Sequence, residues 1–181
     1  MKLCNIICSF NIVLSLLLIS CNESSTYKNY VKENQTEIKP DQTGTNIEVS
    51  FLDSSRLKAI LRADRSRIYQ DRFETFLDNN IRVEFFSKDG RSRVSLLTAD
   101  SAKIDDRTKD MTAWGKVVVV ADSSGTVIET TLLMWDNRTQ KLYSTEFVTI
   151  NSPNEKIQGY GFESDQNLTN YKIFKVSGVQ K

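Results

Sequence analysis

Histidine is absent from this chain of 181 residues, and cysteine, proline and glycine are scarce, at three, two and seven residues. Without imidazole there is no Ser-His-Asp triad, no Cys-His pair and no zinc site of the kind that needs a histidine ligand. A surplus of either charge is also missing, with 24 Lys+Arg against 23 Asp+Glu. Binding to a phosphate backbone needs a basic surplus, so nucleic acid is not an expected partner. There is no Gly-x-Ser-x-Gly elbow and no glycine-rich phosphate loop. Asp89, Asp122 and Asp165 lack the Asp-x-Asp-x-Asp spacing and glycine of a calcium loop. Asp105-Asp106 forms a formal acid–base pair, but Arg107 follows it directly in a turn. The expectation is a protein without catalysis, cofactor or metal.

What is present begins with an address. Lys2 supplies a positive start, and Ile6 to Ile19 is a mostly apolar run broken by Cys8, Ser9, Asn11 and Ser15. Spanning a bilayer takes about 20 apolar residues, so the run is too short and reads as a secretory signal over 1–20. Its end, Leu18-Ile19-Ser20-Cys21, resembles a bacterial lipobox, in which a small residue precedes the cysteine that is lipidated. Two acyl chains already give a stable anchor, so Cys21 is the expected membrane attachment. With Cys4 and Cys8 removed and Cys21 modified, no thiol is left for a disulfide, and the exported domain must hold by packing alone.

Residues 21–46 are polar and rich in Asn, Ser, Thr, Glu and Lys, which reads as a flexible tether. From Ile47 the texture changes to short runs of period two: Ile47, Val49 and Phe51, then Ile81, Val83 and Phe85, then the long run Val127 to Trp135. Turn signals separate them at Lys88-Asp89-Gly90, Ser123-Ser124-Gly125, Asp136-Asn137-Arg138 and Ser152-Pro153-Asn154. No strand run contains proline, and no later segment is a convincing amphipathic helix. The fold class is all-β, an open jelly roll or curved antiparallel sandwich built from repeated hairpins, over 47–178.

Repetition supports the hairpins. Leu61-Arg62-Ala63-Asp64, Leu97-Thr98-Ala99-Asp100 and Leu133-Met134-Trp135-Asp136 recur at equal spacing. Asp64, Asp100 and Asp136 are therefore expected to cap equivalent turns through Asx hydrogen bonds. Strict alternation gives one wet and one dry face. Here several strands carry apolar neighbours: Ile60-Leu61, Phe85-Phe86, Leu96-Leu97, Val117 to Val120 and Leu132 to Trp135. Two readings stay open, a core or interface buried on both faces, or a sandwich that leaves an apolar inner wall for alkyl chains.

The segment Ile157-Gln158-Gly159-Tyr160-Gly161-Phe162-Glu163-Ser164-Asp165, followed by Tyr171 to Gly178, resembles the end of the LptC family, the membrane-anchored periplasmic component of the lipopolysaccharide exporter. Leu97-x-Ala-Asp-x-Ala-x-Ile104 and the Gly115-x-Val-x-Val strand resemble the OstA-like β units that the exporter's periplasmic proteins share. The resemblance covers roughly 47–178. One departure is the anchor, since family members often keep an uncleaved transmembrane helix where this chain has Cys21.

The resemblance implies a periplasmic protein held at the inner membrane, which takes lipopolysaccharide from an inner-membrane ABC transporter and passes it to an LptA-like bridge protein. It implies an open apolar slot for the acyl chains, with Leu61, Phe85, Leu97, Val117, Val119, Leu133, Trp135 and Phe147 as candidates on one face. It also implies strand addition at a C-terminal edge around Gly159, Gly161, Tyr171, Ile173 and Phe174. On the residues alone, glycines in a strand read as a bulge or a close approach of another backbone, and a last strand reads as an edge with unpaired N–H and C=O groups. A closed carrier for a small lipid and a purely structural β lipoprotein are the alternatives.

Overall fold

The computed structural model describes residues 39–180; the signal segment 1–20, Cys21 and residues 22–38 of the tether lie outside them. Within the described residues are nine strands: β1 (Gln42–Asp53), β2 (Arg56–Tyr69), β3 (Glu74–Phe86), β4 (Arg93–Asp105), β5 (Met111–Ala121), β6 (Val127–Asp136), β7 (Lys141–Asn151), β8 (Lys156–Asp165) and β9 (Lys172–Gln180). They form one antiparallel sheet in chain order, so β1 and β9 are its two edges. Among the described residues no helix is long and apolar enough to cross a membrane. Strand β1 starts at Gln42, inside the stretch that reads as tether. Gln42 to Asn46 show no apolar period because they run along β2 almost wholly in solvent.

The adjacent apolar residues resolve into one dry face and one half-exposed face. Leu61, Phe85, Leu97, Val117, Val119, Leu133 and Trp135 are buried, whereas Ile60, Phe86, Leu96, Val118, Val120, Leu132 and Met134 are intermediate. At mid-strand the buried parity changes in β2, β4, β6 and β8, while β3, β5 and β7 keep theirs. There the registers shift: between Arg62 and Arg65, Asp78 and Ile81, Thr98 and Ser101, Trp114 and Val117, Thr130 and Met134, and Ser144 and Phe147. Bulges at one level across a sheet bend every strand and raise its twist. Positive φ angles mark the bend at Asn79 (64°), Asn80 (50°), Gly115 (74°) and Lys116 (46°). The long strands therefore curl over, and residues far apart in the sheet meet. Phe51 of β1 and Phe85 of β3 both pack on Trp135 of β6. Lys58 Nζ donates to the Asn137 carbonyl at 3.1 Å, and Ser95 Oγ to the Gln166 carbonyl at 2.7 Å.

The bends also displace the expected turn caps. Asp136 does cap its turn, accepting from Thr139 N at 2.7 Å. Its structural equivalent is Asp105, which accepts from Arg107 N and Thr108 N at 2.8 and 3.1 Å, while Asp106 accepts from Thr75 Oγ1 at 2.8 Å. The shared element is thus Asp-Asp/Asn-Arg-Thr in two hairpin turns. Asp64 and Asp100 sit at the mid-strand bend instead. Asn80 Nδ2 donates to Asp64 at 2.6 Å, and Asp100 packs over Gly115, where a Cβ would lie 2.7 Å from its carboxylate.

Candidate functional site

One row of side chains runs across the inner face through all nine strands: Val49, Leu61, Val83, Leu97, Val119, Ile128, Ile150, Ile157 and Val179, each paired with the next. Every member is β-branched or leucine, the residues that pack best on a pleated surface. The middle of the row is sealed, from Leu61 to Ile150. Its ends are not: Val49 and Ile157 are half-buried, and Val179 keeps 52% of its surface. A neighbouring row ends the same way, with Val148 buried, Gly159 next, and Val176 exposed at 56%. On β1 only Phe51 is fully buried and on β9 no side chain is, so the apolar interior ends part-exposed along both edges, most fully on β9.

Seven of the eight expected slot residues share this inner face: Leu61, Phe85, Leu97, Val117, Val119, Leu133 and Trp135. Phe147 is a correction. The buried positions of β7 are Leu142, Ser144, Val148 and Ile150, so Phe147 has the opposite parity and lies on the outer face, 39% exposed and edge-on to Tyr160. The seven are packed against one another, and their slot is filled by their own side chains rather than open. The inner-face apolar side chains left part-exposed are Ile157, Val176 and Val179 at one edge and Ile47 and Val49 at the other. Sequence reasoning missed these, because the bulges decide which parity faces inward.

A polar closure shuts one end of the roll. Gln166, in the β8–β9 turn, is buried; with its side-chain amide oriented to suit both neighbours, its oxygen accepts from Trp135 Nε1 at 2.8 Å and its nitrogen donates to the Phe86 carbonyl at 3.3 Å. Leu168, with φ 55°, plugs the core beside it. Ser164 Oγ is buried near this closure with no hydrogen-bond partner.

The expected edge residues divide between two strands. Gly159 and Gly161 lie in β8, which is paired on both sides, and they let β9 approach. A Cβ at Gly159 would stand 2.2 Å from the Lys175 carbonyl, and one at Gly161 (φ 74°) would meet the Phe174 ring at 2.8 Å. Ile173 is half-buried against the core and Phe174 is exposed beneath Lys172, whose Nζ is 5.2 Å from the ring centroid. Tyr171, just before β9, donates to Glu155 at 3.1 Å. Burial first, then that carboxylate, holds its hydroxyl above the ordinary value of 10.0. Among the described residues no group of three or more carboxylates is placed to hold a metal ion.

A single antiparallel sheet, rolled on itself but open along both edges, defines an open β-jelly roll. The same architecture occurs in the crystal structure of LptH, the LptA-homologous periplasmic component of the lipopolysaccharide transport device of Pseudomonas aeruginosa. The likeness has a TM-score of 0.51 at 10% identity, over 65% of this chain and 82% of that one. No curated protein sequence matches the chain. The family model described as lipopolysaccharide-assembly, LptC-related, matches residues 12–178, and the chain belongs to the LptC family.

Proposed function

We propose that this protein is a non-catalytic carrier of lipopolysaccharide, held at the inner membrane through lipid on Cys21. In this reading it receives its cargo from the inner-membrane ABC transporter and passes it to an LptA-like bridge protein that adds a strand at β9. The observation that carries the reading is the apolar row of nine strands, sealed in the middle and uncovered at β9. Burying alkyl chain gains about 0.8 kcal/mol per CH₂, so a wholly enclosed multi-chain lipid would be released very slowly. Partial cover by Ile157, Val176 and Val179 keeps the hold shallow, and deeper entry requires the curled layers to part. The free backbone groups of β9 suit strand addition, which joins the two inner faces into one surface. Direction comes from nucleotide hydrolysis in the transporter.

The test places a photocrosslinking amino acid at Val179, Val176 or Tyr171 in living cells. Lipopolysaccharide adducts at the two valines, with a protein adduct at Tyr171, are expected. A folded, anchored protein that yields neither would return the chain to a structural β lipoprotein.

A further inference from the structure

The outer face of β7, β8 and β9 carries a groove of about 490 Å³. Its walls are the rings of Tyr143, Tyr160 and Phe174, all exposed, with Lys141 and Lys175 at the rim. Phe147 stands edge-on behind Tyr160 at 5.1 Å and fixes that ring. The floor is the bare backbone of Gly161, where any side chain would run into Phe174. A volume of this size suits a small ligand rather than a protein surface.

The lining holds two carboxylates and two lysines, and they differ in what is already engaged. Of its carboxylates, Asp136 is engaged by Thr139 N and Glu163 by Lys141. Lys175 in the groove, and Lys172 beside it, form no ion pair among the described residues, and Lys172 lies over the Phe174 ring. Burial, then Asp110 and Asp136, raise the Tyr143 hydroxyl above its ordinary value, so it remains a donor. Aromatic faces, hydroxyl donors and free ammonium groups complement a ring with apolar C–H faces, a polar rim and negative charge.

Strand β9 also separates two environments. Ile173, Val176 and Val179 continue the apolar interior, while Phe174 and Lys175 line the outer groove. Before a partner strand is added at β9, an amphiphile lying across this edge meets alkyl-binding surface on one side and ring-binding surface on the other. We infer that the outer groove of β7–β9 binds the anionic, phosphate-bearing saccharide of the lipopolysaccharide whose chains lie inside, an inference that rests on the carrier function proposed above.

The probe is lipopolysaccharide stripped of its acyl chains, titrated into the full-length protein while the amide resonances of β7–β9 are followed. Saturable shifts confined to those strands are expected, weakened about tenfold by Tyr160→Ala, Phe174→Ala or Lys175→Glu. Phosphatase treatment of the saccharide should weaken binding similarly. All three side chains are exposed, and circular dichroism checks that the variants fold. If the saccharide leaves β7–β9 unmoved while intact lipopolysaccharide still crosslinks at Val179, the groove assignment is overturned and the carrier function stands. If neither binds, both fall.

Discussion

Phe51, on the edge strand β1, stands edge-on to Trp135 of β6, with ring centroids 5.2 Å apart and planes at 87°. Four strands separate the two in the sheet, so the contact exists only because the sheet curls. Trp135 is the point on which that curl closes. It takes Phe51 and Phe85 against its ring and offers its Nε1 to Gln166 in the β8–β9 turn.

Replacing Gln166 by Leu removes the acceptor but leaves the Trp135 N–H buried. An orphaned buried donor costs about 1–3 kcal/mol, which denaturant unfolding will read. Trp135→Phe alone reads the cost of the smaller ring, and the double variant Gln166→Leu with Trp135→Phe should be less destabilised than the sum of the two single changes. Strict additivity would show that the hydrogen bond is not what closes the roll.

Gly159→Ala and Gly161→Ala should loosen β9 without unfolding the rest. The first drives a methyl into the Lys175 carbonyl, and the second adds a side chain at φ 74°, a conformation that costs about 1–2 kcal/mol in an L-residue. Hydrogen exchange should accelerate in β9 and the facing amides of β8, with β2 to β6 protected as before. Uniform loss of protection would contradict this local role.

Acid should find the hairpin turns before the core. Hydrogen bonds from Thr108 N and Arg107 N lower the Asp105 carboxyl below its ordinary 3.8, Thr139 N does the same for Asp136, and Ser87 for Asp89. A carboxyl depressed in the folded state adds stability above its unfolded pKa and loses it as pH falls through the folded one. Stability should therefore be flat from pH 5 to 8, where no histidine titrates, and decline below about pH 4. Asp136→Asn should make the decline shallower. A transition near pH 6 would refute the assignment.

Charges on the inner face should act according to depth. Leu97→Asp or Leu133→Asp places a carboxylate at a fully buried position and should prevent folding. Val176→Asp and Val179→Asp, at positions more than half exposed, should change stability by no more than about 0.5 kcal/mol. If the edge takes up acyl chains, these two variants lose lipopolysaccharide adducts while remaining folded. Full capture by both would remove the edge from the path.

The class of fold was legible because period-two runs and Asp/Gly turns report local geometry, and these survive the bend. The inner side chains of β4 and β6 could be assigned to one set for the same reason. The sequence pattern misplaces Phe147 because β7 buries Leu142, Ser144, Val148 and Ile150, and a buried serine gives no apolar signal of that parity. The third Leu-x-x-Asp unit was misaligned for a different reason. Leu133 lies beyond the bend in β6, and it is Ile128 that shares a row with Leu61 and Leu97. The valines of β9 gave no signal because nothing in Lys172–Gln180 states which face the next layer fails to cover. The role of the two glycines was legible, since a strand with two glycines in three residues invites a close neighbour.

The unfinished row at Val179 also acts as a template with a parity rule. A strand laid beside β9 continues the row only in registers that set an apolar side chain opposite Val179 and Val176. Shifting it by one residue would turn that side chain to the outer face, toward Lys175. An arriving segment is therefore selected by the order of its apolar and polar residues, much as a key is selected by its teeth, before any particular side chain is recognised.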